Sequence, residues 1–372
     1  MEAAERLRAI LKVLGRPKTY TEGNISMVGA VTALQSYASG FILGHHPANV
    51  TRTEVLSDIL SIREAYPNWP KVLNALHDLL LAEQAHIGRL DFAAMARVAG
   101  IVGERLAEWQ ADEYESLKNQ LLKLEDRGSG RVRLADFYGQ SLHGGTWQLS
   151  ESLPYLRELG ALDESKAGHA RVIIPNYLMG HSNCIANSGS LAICDRSECE
   201  AVLGHLERAI GAPEAAPQDI VALVSKLPTA TVPGNRTISV VMRHRLNSMA
   251  ASSGGKVPLH GRLFAQWLHH AYPRECPFPY LSGTTKPQQT NDWLTNTGTD
   301  YIASPQDMAR HAGPSPESLQ RRRYPGPIET VPWSYKEELF VPQHLAAEGA
   351  PTAWVVLHSM VFAAAAAVAA FS

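Results

Sequence analysis

The sequence predicts a mainly α-helical protein made of EF-hand-like helix–loop–helix units, followed by a C-terminal transmembrane helix. The first observation is a five-residue pattern, Gly-x-aliphatic-x-apolar, which precedes a helix-like run and begins at Gly23, Gly88, Gly130 and Gly255. In an EF-hand loop, glycine at position 6 makes the sharp turn, and an aliphatic residue at position 8 enters a short strand. The second observation is a long, uncharged apolar segment at residues 353–371.

Residues 1–145 predict an EF-hand-like helical domain. Apolar residues recur at helical spacing before and after the Gly88 turn, and a long amphipathic run follows them. A single hand leaves a strand edge and an apolar face uncovered, so hands usually occur in pairs. We therefore predict that residues 72–142 hold one such pair, with Leu90 and Val132 in adjacent strands.

Residues 146–232 predict a less regular, cysteine-containing middle region. Within it, residues 171–177 are typical of a short extended segment, and residues 195–198 match a capping box that opens a helix. Residues 233–345 predict a further helix–loop–helix unit around the Gly255 turn. An irregular stalk rich in proline and polar residues follows that unit.

Residues 352–371 predict a transmembrane helix. The span 353–371 contains no charged residue, and about 20 apolar residues match the hydrocarbon core of a bilayer. Trp354 stands where an interfacial aromatic residue would lie. The alternative is a buried, alanine-rich core helix. We therefore expect a single-pass membrane protein anchored at its C-terminus, in a compartment that the sequence leaves open.

The first 14 residues predict an amphipathic helix with a glycine stop at Gly15. A secretory signal peptide would instead begin with basic residues and a continuous apolar stretch. Two topologies remain as alternatives. The protein is tail-anchored with its bulk in the cytosol, or this chain is an N-terminally incomplete copy of a longer secreted-side protein.

The charge balance argues against a nucleic-acid partner. Lysine and arginine number 34, aspartate and glutamate 36, and the formal net charge is −2. Nucleic-acid binding needs a basic face or a high pI, and the one dense basic run, residues 321–323, is typical of a solvated loop. We expect the membrane and a protein of unidentified kind as partners.

The loop from Glu125 to Asp136 is the best candidate for calcium binding. Glu125, Ser129 and Asp136 occupy loop positions 1, 5 and 12, where an EF-hand carries calcium ligands. Arg127 and Arg133 occupy positions 3 and 9, where a positive charge repels the ion. Calcium takes about six to eight oxygen ligands. We therefore predict a metal-free structural loop and no required cofactor.

The cysteines Cys184, Cys194, Cys199 and Cys276 are candidates for disulfides or for zinc. His181 with the first three would form a His-Cys₃ zinc site. In an oxidising compartment the four cysteines allow three disulfide pairings, and their spacing does not choose among them. In the cytosol, buried free thiols are the alternative.

An enzyme remains a further alternative, as a metal-dependent or cysteine/histidine hydrolase around His181, Cys184, His260 and His270. On a helix, however, His260 and His269 do not share a face at metal-ligand spacing, so core or capping roles account for them. The chain contains no P-loop, dinucleotide fingerprint, GxSxG or HExxH motif. We therefore predict a protein that is not an enzyme and has no catalytic residue.

Several blocks of sequence resemble a largely uncharacterised family of proteins abundant in dinoflagellates and related protists. These blocks are residues 129–138, 147–152, 155–163, 174–177, 182–184 and, most distinctive, 257–277. The resemblance covers roughly residues 60–372. It implies a large ectodomain with degenerate EF-hands and a C-terminal membrane helix, and it implies no catalytic residue. At residues 191–195 the relatives often carry a cysteine pair, whereas this chain has Cys194 alone.

Together these observations predict a membrane-anchored interaction or scaffold protein built on EF-hand-like units that bind no calcium. A calcium-responsive sensor that uses Glu125 and Asp136 is the first alternative, and a hydrolase is the second.

Overall fold

The computed structural model describes residues 2–15, 25–43, 50–66, 68–144, 148–180, 198–312 and 333–339. Within these ranges the protein is mainly helical, which confirms the predicted class. The first helices are α1 (Glu2–Val13), α2 (Met27–Leu43), α3 (Arg52–Ala65), α4 (Trp69–Ile87), α5 (Phe92–Leu124) and α6 (Leu134–Gly144). The later helices are α7 (Leu153–Glu158), α8 (Ile174–Leu178), α9 (Glu198–Ile210), α10 (Pro217–Lys226), α11 (Val240–Ser252), α12 (Arg262–Ala271), α13 (Thr290–Thr297) and α14 (Pro305–His311).

Short antiparallel strands join the loops between helices. The strands are β1 (Arg131–Arg133), β2 (Leu162–Asp163), β3 (Arg171–Ile173), β4 (Glu214–Ala215) and β5 (Val257–Pro258). One sheet has the order β1–β3–β2, and Val132 stands opposite Val172 in it. The other sheet pairs β4 with β5, and Ala215 stands opposite Val257. Each ladder therefore links two helix–loop–helix segments.

The turn between α4 and α5 follows directly from its sequence. Gly88 ends α4 in the left-handed region at φ 75°, which glycine adopts without the steric cost of a Cβ. Asp91 then begins α5, and its side-chain oxygen accepts a hydrogen bond from the backbone N–H of Ala94 at 2.9 Å. This cap satisfies a helix-terminal donor that has no partner within the helix. The glycine pattern thus correctly marks a helix end and the next helix start.

The predicted pairing of Leu90 with Val132 is wrong. The backbone N–H of Ile25 donates to the carbonyl of Leu90 at 2.7 Å, and Val132 pairs with Val172 instead. The physical reason is α5, whose 33 residues make a helix about 50 Å long. Leu90 and Val132 flank opposite ends of that helix, so neighbouring loops in sequence lie far apart in space.

Buried apolar residues form three clusters, which define three units. The first unit comprises the described residues from 2 to 106, and the second comprises those from 114 to 180 and from 290 to 312. The third unit comprises residues 198–278. Helix α5 contributes to the first and second clusters. The third cluster draws on both sides of position 232, where the sequence analysis separates two regions.

Residues 333–339 lie in the predicted stalk and run against the third unit. The side chain of Glu337 accepts a hydrogen bond from the backbone N–H of Leu263 at 2.9 Å, in the first turn of α12. The buried guanidinium of Arg262 donates to the carbonyl of Lys336 at 2.6 Å. This part of the predicted stalk is therefore bound to the folded body.

No helix in the described ranges is long and apolar enough to cross a membrane. The predicted membrane span, residues 353–371, lies outside the residues that the structure describes.

Candidate functional site

The candidate calcium loop is a tight turn between α5 and β1. Arg127, Gly128 and Gly130 have φ angles of 57°, 74° and 70°, so the backbone reverses direction through the left-handed region. The carboxylate of Glu125 accepts a hydrogen bond from the backbone N–H of Gly130 at 2.6 Å. The backbone N–H of Asp126 donates to the carbonyl of Arg131 at 2.7 Å. These two bonds close the loop without a ligand.

Both carboxylate oxygens of Glu125 are bound by one arginine from the third unit. Nε of Arg274 lies 3.0 Å from Oε1 and 2.9 Å from Oε2, and Nη2 lies 2.6 Å from Oε2. The Glu125 side chain is 5% exposed and that of Arg274 is 27% exposed. The hydrogen bonds to Glu125 raise the pKa of the Arg274 guanidinium. A positive charge of the chain therefore binds the carboxylate at the first ligand position of the loop.

The second acidic residue of the loop, Asp136, is also paired with an arginine. Arg133 donates to Oδ2 of Asp136 from Nε at 2.7 Å and from Nη2 at 2.6 Å. Because Asp136 lies in the first turn of α6, its charge also interacts favourably with the helix dipole. The remaining candidate ligand, the hydroxyl of Ser129, is buried without a hydrogen-bond partner. Among the described residues, no group of three or more His, Cys, Asp or Glu side chains is arranged to hold a metal ion.

A second ion cluster joins one residue from each of β1, β2 and β3. The carboxylate of Asp163 receives Nε of Arg131 at 2.7 Å and Nη2 of Arg171 at 3.3 Å. Burial, the largest single effect, opposes the charge on Asp163. The hydrogen bond from Ser165 and the positive charge of Arg131 outweigh it and lower the pKa of Asp163. The sheet that carries Val132 is thus held by charge pairs as well as by backbone hydrogen bonds.

The third unit contacts this loop at close range. A Cβ atom added to Gly130 would lie 2.0 Å from the carbonyl oxygen of Pro273, which no side chain can tolerate. On α5, about two helical turns before Glu125, Lys118 pairs with Glu198 at the start of α9. The Lys118 side chain is 3% exposed. Two ion pairs therefore join the second and third units along one helix.

The structure brings two of the four cysteines together. The sulfur atoms of Cys199 and Cys276 are 1.99 Å apart and their Cα atoms 4.7 Å apart, which is disulfide distance. Cys184 and Cys194 lie outside the described residues, and so does His181. The candidate His-Cys₃ site therefore has only Cys199 in the described part of the chain, and Cys199 is joined to a cysteine outside that set.

The candidate hydrolase histidines have separate partners. His260 lies at the surface, with Nε2 3.3 Å from a carboxylate oxygen of Glu207. The ring of His270 packs against that of Trp333, with centroids 5.7 Å apart. His269 is fully buried, its Nδ1 lies 2.7 Å from the carbonyl of Cys276, and burial lowers its pKa well below the usual value. His269 therefore has the core role that its sequence predicts, whereas His260 is a surface residue rather than a core or capping one.

An open cleft of 640 Å³ lies beside the loop, between residues 126–135 and residues 164–171. Its walls carry charges of both signs, including Arg133, Lys166 and Glu164. None of its lining residues is serine, threonine or cysteine, so the cleft offers no hydroxyl or thiol nucleophile to a substrate. Neither His260 nor His270 lines this cleft.

Sequence reasoning missed the residues that complete the loop. Arg274 is 149 positions from Glu125, and Glu198 is 80 positions from Lys118. It also missed Glu151, a buried carboxyl to which the hydroxyl of Tyr177 donates at 2.9 Å. Burial raises the pKa of Glu151. No local pattern in the sequence predicts any of these long-range partners.

Comparison of the chain with protein-family models, with curated proteins and with solved structures finds no match in any of the three. The resemblance to the protist family therefore stays a prediction.

Substitution of Gly130 by alanine should separate the loop from the third unit. Gly130 and Gly168 have φ angles of +70° and +71°, but a Cβ at Gly168 meets nothing within 4 Å. Gly168→Ala should therefore lower the free energy of unfolding only by backbone strain, about 1–3 kcal/mol. Gly130→Ala should cost clearly more, because Pro273 must also move. Urea denaturation of the two variants measures both losses, and equal losses would contradict close docking at Gly130.

Proposed function

We propose that this protein is a non-enzymatic interaction scaffold whose EF-hand-like units keep their shape without calcium. The observation that carries the proposal is the pairing of Glu125 with Arg274. In a calcium-binding hand, the acidic loop residues need a cation to offset their mutual repulsion. Here two arginines of the chain supply that charge, so the loop has no electrostatic need for an ion.

The loop arrangement supports the description of the units as EF-hand-like. The aliphatic residues two positions after each pattern glycine, Ile25, Leu90, Val132 and Val257, are all buried. All four also pair with another loop, Ile25 with Leu90 and the other two through β1 and β5. The second and third units each contain two helix–loop–helix segments joined by an antiparallel ladder, and in the first unit one backbone hydrogen bond joins Ile25 to Leu90. Paired hands bury their loop strands in this way, which is the basis of the proposal.

The charge pairs and the cleft lining in the described residues support a rigid scaffold. The acidic groups Glu125 and Asp136 of the loop are each paired with an arginine, and no serine, threonine or cysteine is among the described residues that line the cleft. A calcium sensor would need ligands that are free to exchange an arginine for the ion. The pairs at Glu125 and Asp136 oppose that exchange, because breaking a buried pair leaves an uncompensated charge.

Calcium should not change the thermal midpoint of the protein at about millimolar concentration. Any ion that binds only the folded state must raise its stability by mass action, and the loop carboxylates are already occupied by arginine. Differential scanning fluorimetry of the full chain, with sodium chloride at equal ionic strength as the control, makes the measurement. A rise in midpoint that Asp136→Ala abolishes would favour the sensor instead.

We further propose that residues 353–371 anchor this scaffold in a membrane. Their uncharged apolar composition supports the proposal. The last residues that the structure describes, 333–339, bind to the third unit. An anchor at 353–371 would therefore hold the third unit near the bilayer surface.

Alkaline carbonate extraction of membranes that contain the full chain should leave the protein in the pellet. Removal of residues 353–371 should release it into the supernatant, because carbonate strips peripheral proteins but not hydrophobic spans. Full-length protein in the supernatant would contradict the anchor and favour the alanine-rich core helix.

A further inference from the structure

Two oppositely charged residues lie seven positions apart, one on α5 and one directly after it, and both bind the third unit. Lys118 lies on α5 and Glu125 immediately follows its last residue, so they are about 10 Å apart along the axis and on one face. Lys118 pairs with Glu198, and Glu125 pairs with Arg274. The third unit therefore presents a negative and a positive group in the matching order. Docking requires that Glu198 and Arg274 be held at the spacing that α5 sets.

The two cysteines lie beside these two docking residues. Cys199 directly follows Glu198, and Cys276 is two residues after Arg274. Cys276 is fully buried, whereas Cys199 is partly exposed. The Cα atoms of the two cysteines are 4.7 Å apart. A bond between them joins the start of α9 to the turn after α12, which is where the two docking charges stand.

We propose that Cys199 and Cys276 form a redox-controlled link that sets the docking of the third unit on α5 and on the Glu125 loop. Oxidation by a disulfide such as glutathione disulfide removes two electrons from the two cysteine thiols and forms their S–S bond. The S–S bond of the oxidant breaks, and its two sulfur atoms take up the two electrons and the two protons as thiols. The reverse exchange opens the link, and Cys199 gives the reductant access to it.

The coupling between the Cys199–Cys276 bond and the docking of the third unit must act in both directions. If the bond favours docking by holding Glu198 and Arg274 at their spacing, then docking favours the bond by holding the two sulfur atoms together. Thermodynamic linkage requires the two effects to be equal in free energy. If the bond only stabilised the third unit internally, its oxidation equilibrium would not depend on Arg274. The change in the oxidation constant when the Glu125–Arg274 pair is removed therefore distinguishes a disulfide that controls docking from one that stabilises only the third unit.

The test measures the thiol–disulfide equilibrium of Cys199 and Cys276 in the full chain, in glutathione buffers of graded ratio. Alkylation of free thiols followed by mass spectrometry of the two peptides gives the oxidised fraction. Arg274→Gln should lower the equilibrium constant for oxidation about tenfold, within the usual range of coupling between sites. Arg97→Gln is the matched control, because it removes an exposed pair with Glu83 in the first unit and should leave the constant unchanged.

A second measurement keeps the test decisive if Arg274→Gln folds poorly. In the wild-type chain, reduction should speed amide hydrogen exchange of residues 125–136, while exchange in the core of the first unit stays the same. Lys118→Gln should speed exchange in the same loop region in the oxidised protein. An oxidation constant that Arg274→Gln does not alter, or loop exchange that reduction does not alter, would overturn the proposal.

Discussion

The carboxylate of Glu125 stands at the C-terminal end of a long helix, almost wholly withdrawn from water. Both features disfavour its charge, because burial removes hydration and the helix end carries partial negative charge. A positive partner is therefore required at that point. Arg274, in the turn after α12 of the third unit, supplies it. This requirement, together with the Lys118–Glu198 pair and the close approach of Gly130 to Pro273, sets the packing of the second and third units.

The same requirement is met by calcium in a calcium-binding hand. An ion supplies charge that depends on its concentration, so the hand changes shape when calcium rises. A guanidinium supplied by the chain is always present and always charged, so the shape becomes permanent. Arg133 does for Asp136 what Arg274 does for Glu125. The loop thus holds the second and third units together, which is why we interpret the protein as a scaffold.

The helices before residue 145, the glycine turns, and strands β1, β3 and β5 could be predicted from local sequence. Helices α13 and α14 lie where the sequence predicts an irregular stalk, and α8 lies where it predicts an extended segment. Glycine at Gly88, Gly130 and Gly255 takes positive φ, and the aliphatic residue two positions later is buried in each case. The partner loops escaped the pattern because Ala170 and Pro213 stand where the glycine would be, two positions before Val172 and Ala215. Their positive-φ glycines, Gly168 and Gly211, stand two positions earlier, so the spacing of the pattern does not detect them.

The pairing of loops and the charges that close them could not be predicted. Pairing depends on the length and direction of α5, a single helix that separates the loops at Gly88 and Gly130. The contacts of Glu125 and Lys118 depend on residues far along the chain, and a single sequence carries no record of such partners. The sequence did indicate that Arg127 and Arg133 oppose calcium, and Arg133 indeed binds the acid at loop position 12.

A double-mutant cycle between Glu125 and Arg274 tests the central claim most directly. Glu125→Gln, Arg274→Gln and the double variant are compared with the wild-type chain by urea denaturation. The account predicts a coupling energy of about 2 kcal/mol, as expected for charged hydrogen bonds in a shielded site. The exposed pair of Arg157 and Glu164 should give less than about 1 kcal/mol. A coupling at Glu125 no larger than that of the exposed pair would contradict the claim that this arginine holds the units together.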